Sequence, residues 1–396
     1  MRGAVIKGIL ISGSLLFMLT GCIPILQDAP EETDVNDEVN EEQDVAVIPP
    51  ISTVDDFYQS VLYDGSYLHG STRGYGPDMV YNRLDLDHLE VGLTRVATEY
   101  FDNNRYFFRE GQFVTRTELN NWLRRYDEDD NPLGLNPALA GGEDKDMKER
   151  EEEAPRFLSH ILEHNYLVEN DNGNFEVGGI VIGISLNDTY HFSIDTDEGR
   201  YLYDVALEHS QALAQGKEAA ELIVSRLRDS SKEEGAFNDI PIIVALFQEE
   251  ARSSAIPGSF VAHAVAEPNE GLSRWQDINE QYYLFPSSAA NSDVRNDADQ
   301  FNSFKEEIQN FFENFVGVHG RGFYNNNKLQ ELTIEIPLQY QGKTEIVALT
   351  QFAASEIKQR YDDSLKVNVY IHSVGGQQEA VIIRNPNEEP FIHVYQ

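Results

Sequence analysis

His160, Glu163 and His164 stand in the order H-x-x-E-H. On a helix this spacing sets two imidazoles one turn apart, with a glutamate beside them to activate a metal-bound water. That is the arrangement of inverted zinc peptidases. The segment Phe157 to Tyr166 is predicted helical, which suits that chemistry. The same residues also describe an ordinary amphipathic helix, with Ile161 and Leu162 inward and His160, Glu163 and His164 outward. No third ligand can be named. A metal-dependent extracellular hydrolase is therefore carried as the alternative reading, and no metal or other cofactor is assigned.

The second chemistry-bearing set is Leu19-Thr20-Gly21-Cys22. Small residues before a cysteine let extended chain enter a tight protease cleft, and the thiol is the group that takes a lipid. Two cations, Arg2 and Lys7, come first, and then an apolar run from Ile9 to Leu19 broken only by Ser12, Gly13 and Ser14. This is the order of a secretory signal peptide. It is too short for a membrane span, which takes ~20 apolar residues. Cleavage between Gly21 and Cys22 is expected, with a diacylglyceryl group on Cys22. The partners this implies are a diacylglyceryl transferase, a lipoprotein signal peptidase and the membrane. The protein is then a palmitate-type lipoprotein on the extracellular side of the cell membrane, anchored stably by two acyl chains. Cys22 is the one cysteine of the chain, so no intrachain disulfide can form.

Other motifs carry less. Gly317-Val318-His319-Gly320-Arg321-Gly322 lacks the spacing of a dinucleotide or phosphate loop. It reads as a turn between a helix over 299–315 and a strand over 329–340. Gly178-Gly179 and Gly375-Gly376 read as bulge or turn glycines. There is no Gly-x-Ser-x-Gly elbow, and acid pairs are too common to single out glycosidase carboxylates. Trp275, Tyr283, Arg321 and Tyr324 are candidates for binding a sugar or peptide, against the commoner reading of such aromatics as core. The folded body is expected to be non-catalytic and to bind an unknown peptide or cell-wall ligand.

The formal net charge of -38 argues against nucleic acid, which needs clustered Lys and Arg, and against anionic lipid or anionic wall polymer. Acids are spread along the whole chain, which fits solubility outside the cell better than one cationic partner. Asp28 to Asp44 is acidic without a Lys or Arg, and reads as an extended, disordered spacer ending near Pro49-Pro50.

The elements that would position these groups give an α+β fold. Asp85 to Phe101, Thr117 to Tyr126 and Phe157 to Tyr166 are predicted helices. Val177 to Leu186 is then a strand, Tyr203 to Arg228 a long helix, and Ile240 to Phe247 and Phe260 to Ala266 are strands. The order returns downstream: strand Leu329–Tyr340, helix Thr344–Tyr361, and strands Val367–His372, Ala380–Ile383 and Phe391–Val394. Two lobes are thus expected, each with a strand-helix-strand-strand core, plus an N-terminal helical region. The boundaries are 1–21 for the signal peptide, 22–54 for the lipidated cysteine and acidic tether, 55–270 for the first lobe and 271–396 for the second.

Several segments resemble the CamS family of Gram-positive sex-pheromone lipoproteins. They are Tyr81-Asn82-Arg83-Leu84-Asp85 leading into Glu90-Val91-Gly92-Leu93-Thr94-Arg95, Phe107 to Phe113, Leu133 to Pro137 and Val181 to Asn187. Ile256 to Phe260, Tyr283 to Ser287, Phe315 to Val318 and Glu331 to Pro337 complete the series. The resemblance runs from about Asn82 to the C-terminus. It implies that the signal peptide, once cut, is trimmed to a short exported mating signal. On this chain the candidate is Leu15, Leu16, Phe17, Met18, Leu19, Thr20 and Gly21, with degraded signal-peptide debris as the competing reading. The family offers no agreed chemistry for the folded body.

Overall fold

The computed structural model describes residues 45–48, 58–72, 85–142, 145–311, 317–339 and 342–396. The signal peptide, Cys22, the pheromone candidate and the acidic run lie outside these residues, as do Tyr81 to Leu84 and Phe315-Val316. A small antiparallel sheet comes first, made of β1 (Val45–Val47), β2 (Val61–Tyr63) and β3 (Ser66–Tyr67). The first described strand therefore lies inside the stretch expected to be tether. Val-Ala-Val is β-prone and carries none of the charge of the run before it, so it pairs with Val61–Tyr63.

Helix α1 (Leu86–Thr98) buries Leu89, Leu93, Val96 and Ala97 along one stripe. There follow β4 (Tyr106–Glu110), α2 (Arg116–Leu123), α3 (Met147–Glu153), β5 (Leu158–Glu169) and β6 (Phe175–Leu186). A hairpin of β7 (Thr189–Thr196) and β8 (Gly199–Ala206) leads to α4 (His209–Leu227), β9 (Ile242–Gln248), β10 (Ser259–Ala266) and β11 (Gln276–Asp277). The second lobe runs β12 (Glu280–Phe285), α5 (Ser288–Asp293), α6 (Arg295–Asn310), β13 (His319–Asn325) and β14 (Lys328–Leu338). It closes with α7 (Lys343–Arg360), β15 (Lys366–Ser373), β16 (Gln378–Arg384) and β17 (Phe391–Val394).

The expected repetition is present and goes further than the sequence showed. One six-stranded sheet has the order β4-β5-β6-β9-β10-β11, the other β12-β13-β14-β15-β16-β17. In both, the third and fourth strands are parallel and the other neighbours antiparallel. A parallel pair cannot be joined by a tight turn, and in each lobe the crossover carries the long helix, α4 or α7.

What differs is the covering. In the first sheet, Ile182, Ile184, Val244 and Leu246 pack under α2 and α4. The opposite face, with Val181, Ile243, Ala245 and Phe260, packs under α1. In the second sheet, Ile334, Ile336, Val367 and Val369 pack under α6 and α7. On its other face α1 reaches one edge, with His88 against Tyr282 and Arg95 over Phe323, and Arg321, Thr333, Glu335, Tyr370 and His372 are half-exposed. Arg384 is almost fully buried at the end of α7. Its guanidinium donates to the carbonyls of Ile357, Tyr361, Asp362 and Leu365 at 3.3, 3.1, 2.7 and 3.2 Å.

Four expectations are corrected. Phe157 to Tyr166 is not a helix; Leu158 onward is β5, paired to β4 and β6. Its local pattern suits either structure, and strand pairing on both sides decides. Tyr203 to Ala206 belongs to β8, so the long helix starts only at His209. The glycine-rich stretch is not a turn: from His319 it is strand β13. Its glycines serve close packing, since a Cβ on Gly320 would lie 2.6 Å from Phe301 and one on Gly322 2.9 Å from Phe285. The helix placed at 299–315 is α6, ending at Asn310.

Candidate functional site

The change from helix to strand takes apart the H-x-x-E-H constellation. Residues four apart on a strand are separated by ~13 Å, against about one turn on a helix. Alternation sends Glu163, paired to Ile182, to the face under α2 and α4, while His160 and His164, paired to Ser185 and Val181, lie on the α1 face. Among the described residues no group of three His, Cys, Asp or Glu side chains is placed to hold a metal.

Each member has another role. The Glu163 carboxylate accepts from the backbone N–H of Phe113 and Val114 and from Asn165, at 3.1, 2.7 and 2.6 Å, which fixes the loop after β4. Burial raises its pKa, and those donors pull against the rise. Burial lowers His160 to about 4 and His164 to about 3. Both are neutral core imidazoles, the second packed edge-on to Phe108.

Of two concavities among the described residues, one lies at the end of α1 around Thr98 to Asn103 and is mostly polar, and the other, more apolar, lies where the lobes meet. Arg95 on α1 reaches across to Glu280, the first residue of β12, with Nε and Nη2 at 2.9 and 2.7 Å from one carboxylate oxygen. The other oxygen accepts from Phe260 N at 3.2 Å, and the Arg95 guanidinium sits 4.6 Å from the centre of the Phe323 ring. Beside this clamp a cleft of about 400 Å³ opens between the segment Glu250–Ser259 and the segment Glu280–Ala289. That size is within the usual range for small-ligand sites. Ala255, Ile256, Pro257, Leu284 and Ala289 give it apolar walls, and Tyr282 and Tyr283 line it.

Burial pushes the Tyr282 phenol up to about 12 and raises that of Tyr283, where Asp293 adds to the rise. Both stay protonated at neutral pH. The hydroxyls of two lining serines are engaged locally: Ser254 Oγ donates to the Ile256 carbonyl, and Ser287 Oγ accepts from Ala290 N. What the cleft offers is apolar contact and hydrogen bonding.

The four binding candidates do not converge. Tyr283 lines the cleft. Arg321, opposite Leu284 on the neighbouring strand, lies on the half-exposed face of the second sheet with its guanidinium 5.9 Å from the Tyr282 ring centre. Tyr324 is a correction: it is 2% exposed, meets Tyr283 edge to face and donates to Asp297 at 2.7 Å, so no ligand can reach it. Trp275 packs against the first lobe's core beside Lys217. Glu280 and Arg95 were not singled out, because residues 185 apart leave no local pattern.

Arg95→Ala is expected to destabilise the protein by about 2 kcal/mol, because Glu280 stays buried with its charge poorly matched. Urea unfolding of Arg95→Ala, Glu280→Gln and the double variant would measure the coupling. Additive losses would mean that the pair does not hold the lobes together.

A family model described as CamS sex pheromone cAM373 precursor matches residues 67–390. The crystal structure of a sex pheromone precursor from Lactobacillus salivarius subsp. salivarius UCC118 is similar at 27% identity and TM-score 0.78, over 89% of this chain and 99% of that one. The C-terminal domain of the sex pheromone staph-cAM373 precursor from Staphylococcus aureus is similar at 27% identity and TM-score 0.64, over 78% and 96%. No curated protein matches.

Proposed function

The chain belongs to the CamS family of sex pheromone precursors, and on that premise we propose that it is a lipid-anchored precursor with two products. One is a short apolar peptide taken from the signal peptide. The other is a non-catalytic binding protein held on the outer face of the membrane through Cys22. The observation that carries this is Leu19-Thr20-Gly21-Cys22 at the end of a short apolar run behind Arg2 and Lys7. That order is what a signal peptidase and a lipid transferase read. The peptide is Leu15 to Gly21, uncharged and nearly all apolar, suited to a receptor pocket that reads side chains worth about 1–3 kcal/mol each. For the body, the cleft between the lobes is the binding site, supported by its apolar walls and its locally engaged hydroxyls.

Mass spectrometry of culture supernatant tests the release step. Cells carrying the wild-type chain should yield fragments ending at Gly21, with Leu15–Gly21 among them, and Cys22→Ala cells should not. Equal yields from both, or no such fragment from either, would sink the reading.

A further inference from the structure

We propose that the cleft between the lobes takes an extended, uncharged apolar peptide as an added strand on β12, and that Leu15–Gly21 is such a peptide. This rests on the reading above, that the fragment is released. β12 is the outermost strand of its sheet, with all its pairing spent on β13. Alternate backbone groups of an edge strand point away from the sheet. Among the described residues, Gln281 to Phe285 make no other backbone hydrogen bond. Gln281, Tyr282, Tyr283 and Leu284 are among the residues that line the cleft. An open strand edge with apolar pockets beside it is the geometry of peptide capture by β-augmentation, where main-chain bonds give affinity and alternate side chains give selectivity.

Length and charge point to the occupant. Four residues of β12 span about 14 Å at ~3.4 Å per residue. Seven extended residues reach about 24 Å, so the peptide fills the cleft and overhangs its rim. Among the described residues the charged side chains lining the cleft are Glu250 and Glu280, the second held by Arg95. The apolar walls given by Ala255, Ile256, Pro257, Leu284 and Ala289 suit an uncharged, apolar segment better than the acidic run Asp28 to Asp44. The remaining charge on the peptide's reading end is the carboxylate of Gly21. Arg321, one strand in from β12 and outside the cleft wall, has no carboxylate partner among the described residues and lies 5.9 Å from the ring of Tyr282, which lines the cleft, so its long side chain can reach toward that carboxylate.

The test uses the mature chain from Cys22 to Gln396, made without lipid so that detergent does not compete. The probe is synthetic Leu15–Gly21 with a fluorophore on its N-terminus, followed by polarisation. Wild type should bind saturably, and a scrambled peptide at least tenfold more weakly. Ala289→Trp fills the cleft from an exposed helix position and should weaken binding at least tenfold with melting temperature unchanged. Arg321→Gln should weaken the free acid about tenfold and leave the C-terminal amide unaffected. No saturable binding, or binding indifferent to both substitutions, overturns the proposal. Because the peptide is synthetic, its binding is independent of release: a released peptide that does not bind refutes this proposal alone. A peptide that binds but is never released refutes the precursor reading alone.

Discussion

Acidification from pH 7 to pH 4 is expected to remove about 6 kcal/mol of stability through two histidines, roughly 3 from each. Burial under α1 and β4 holds His160 at about 4 and His164 at about 3 in the folded chain, against 6.5 for the unfolded side chain. Between those values the unfolded chain binds more protons than the folded one. The stabilisation is complete above pH 6.5 and is lost as pH falls toward 4 for His160 and 3 for His164. His263, also lowered by burial, acts in the same direction. Two effects oppose: protonation of Glu163, whose pKa burial raises, and relief of repulsion among 68 acidic residues. The variants His160→Met and His164→Met isolate the histidine part. Urea unfolding across this range should show each variant gaining about 3 kcal/mol on wild type between pH 7 and pH 4. Parallel stability curves for wild type and variants would refute the assignment.

Arg384→Ala should cost about 3–5 kcal/mol. The guanidinium satisfies four carbonyls, three of them buried, where α7 ends and the chain turns into β15. Without it those oxygens stay buried and unpaired, and the negative end of the helix dipole loses its counter-charge. Lysine keeps the charge, but its compact ammonium cannot span four acceptors, so Arg384→Lys should lose more than half as much. Chemical denaturation at pH 7 measures both. A loss below about 1 kcal/mol for alanine, the size of one ordinary hydrogen bond, would show that water replaces the cap.

Where one physical rule dominates a segment, the sequence is readable. Leu332, Ile334, Ile336 and Leu338 alternate because one side of β14 meets helices and the other does not. Leu89, Leu93 and Val96 recur at helical spacing because α1 lies on a flat apolar sheet. Val181 to Leu186 and Ile242 to Phe247 read as buried strands for the opposite reason, being covered on both sides. β5 defeats this kind of reading. Both its faces are buried, so its polar residues record separate local tasks: Glu163 anchors a loop and His164 meets Phe108. Spacing then imitates a catalytic helix. The end of β8, Tyr203 to Ala206, reads as part of the following helix because it runs without a break toward it.

The site was legible only in part. Tyr283 could be nominated as an aromatic, and it lines the cleft. The cleft itself joins two segments some thirty residues apart through small apolar side chains, Ala255 and Ala289 among them, which carry no chemical signal. Arg321 and Trp275 were chosen by type, and the fold sends them to different surfaces.

Each large sheet draws its strands from one unbroken stretch of sequence, Tyr106 to Asp277 and then Glu280 to Val394. Order of synthesis and order of assembly can therefore coincide. A chain threaded outward from its N-terminus can close the first sheet, and lay α1 over it, before the last hundred residues appear. No described strand of the first large sheet has to wait, unpaired, for a partner not yet made. For a polypeptide that folds from its N-terminus onward as it is made, that shortens the time during which apolar edges are open to aggregation.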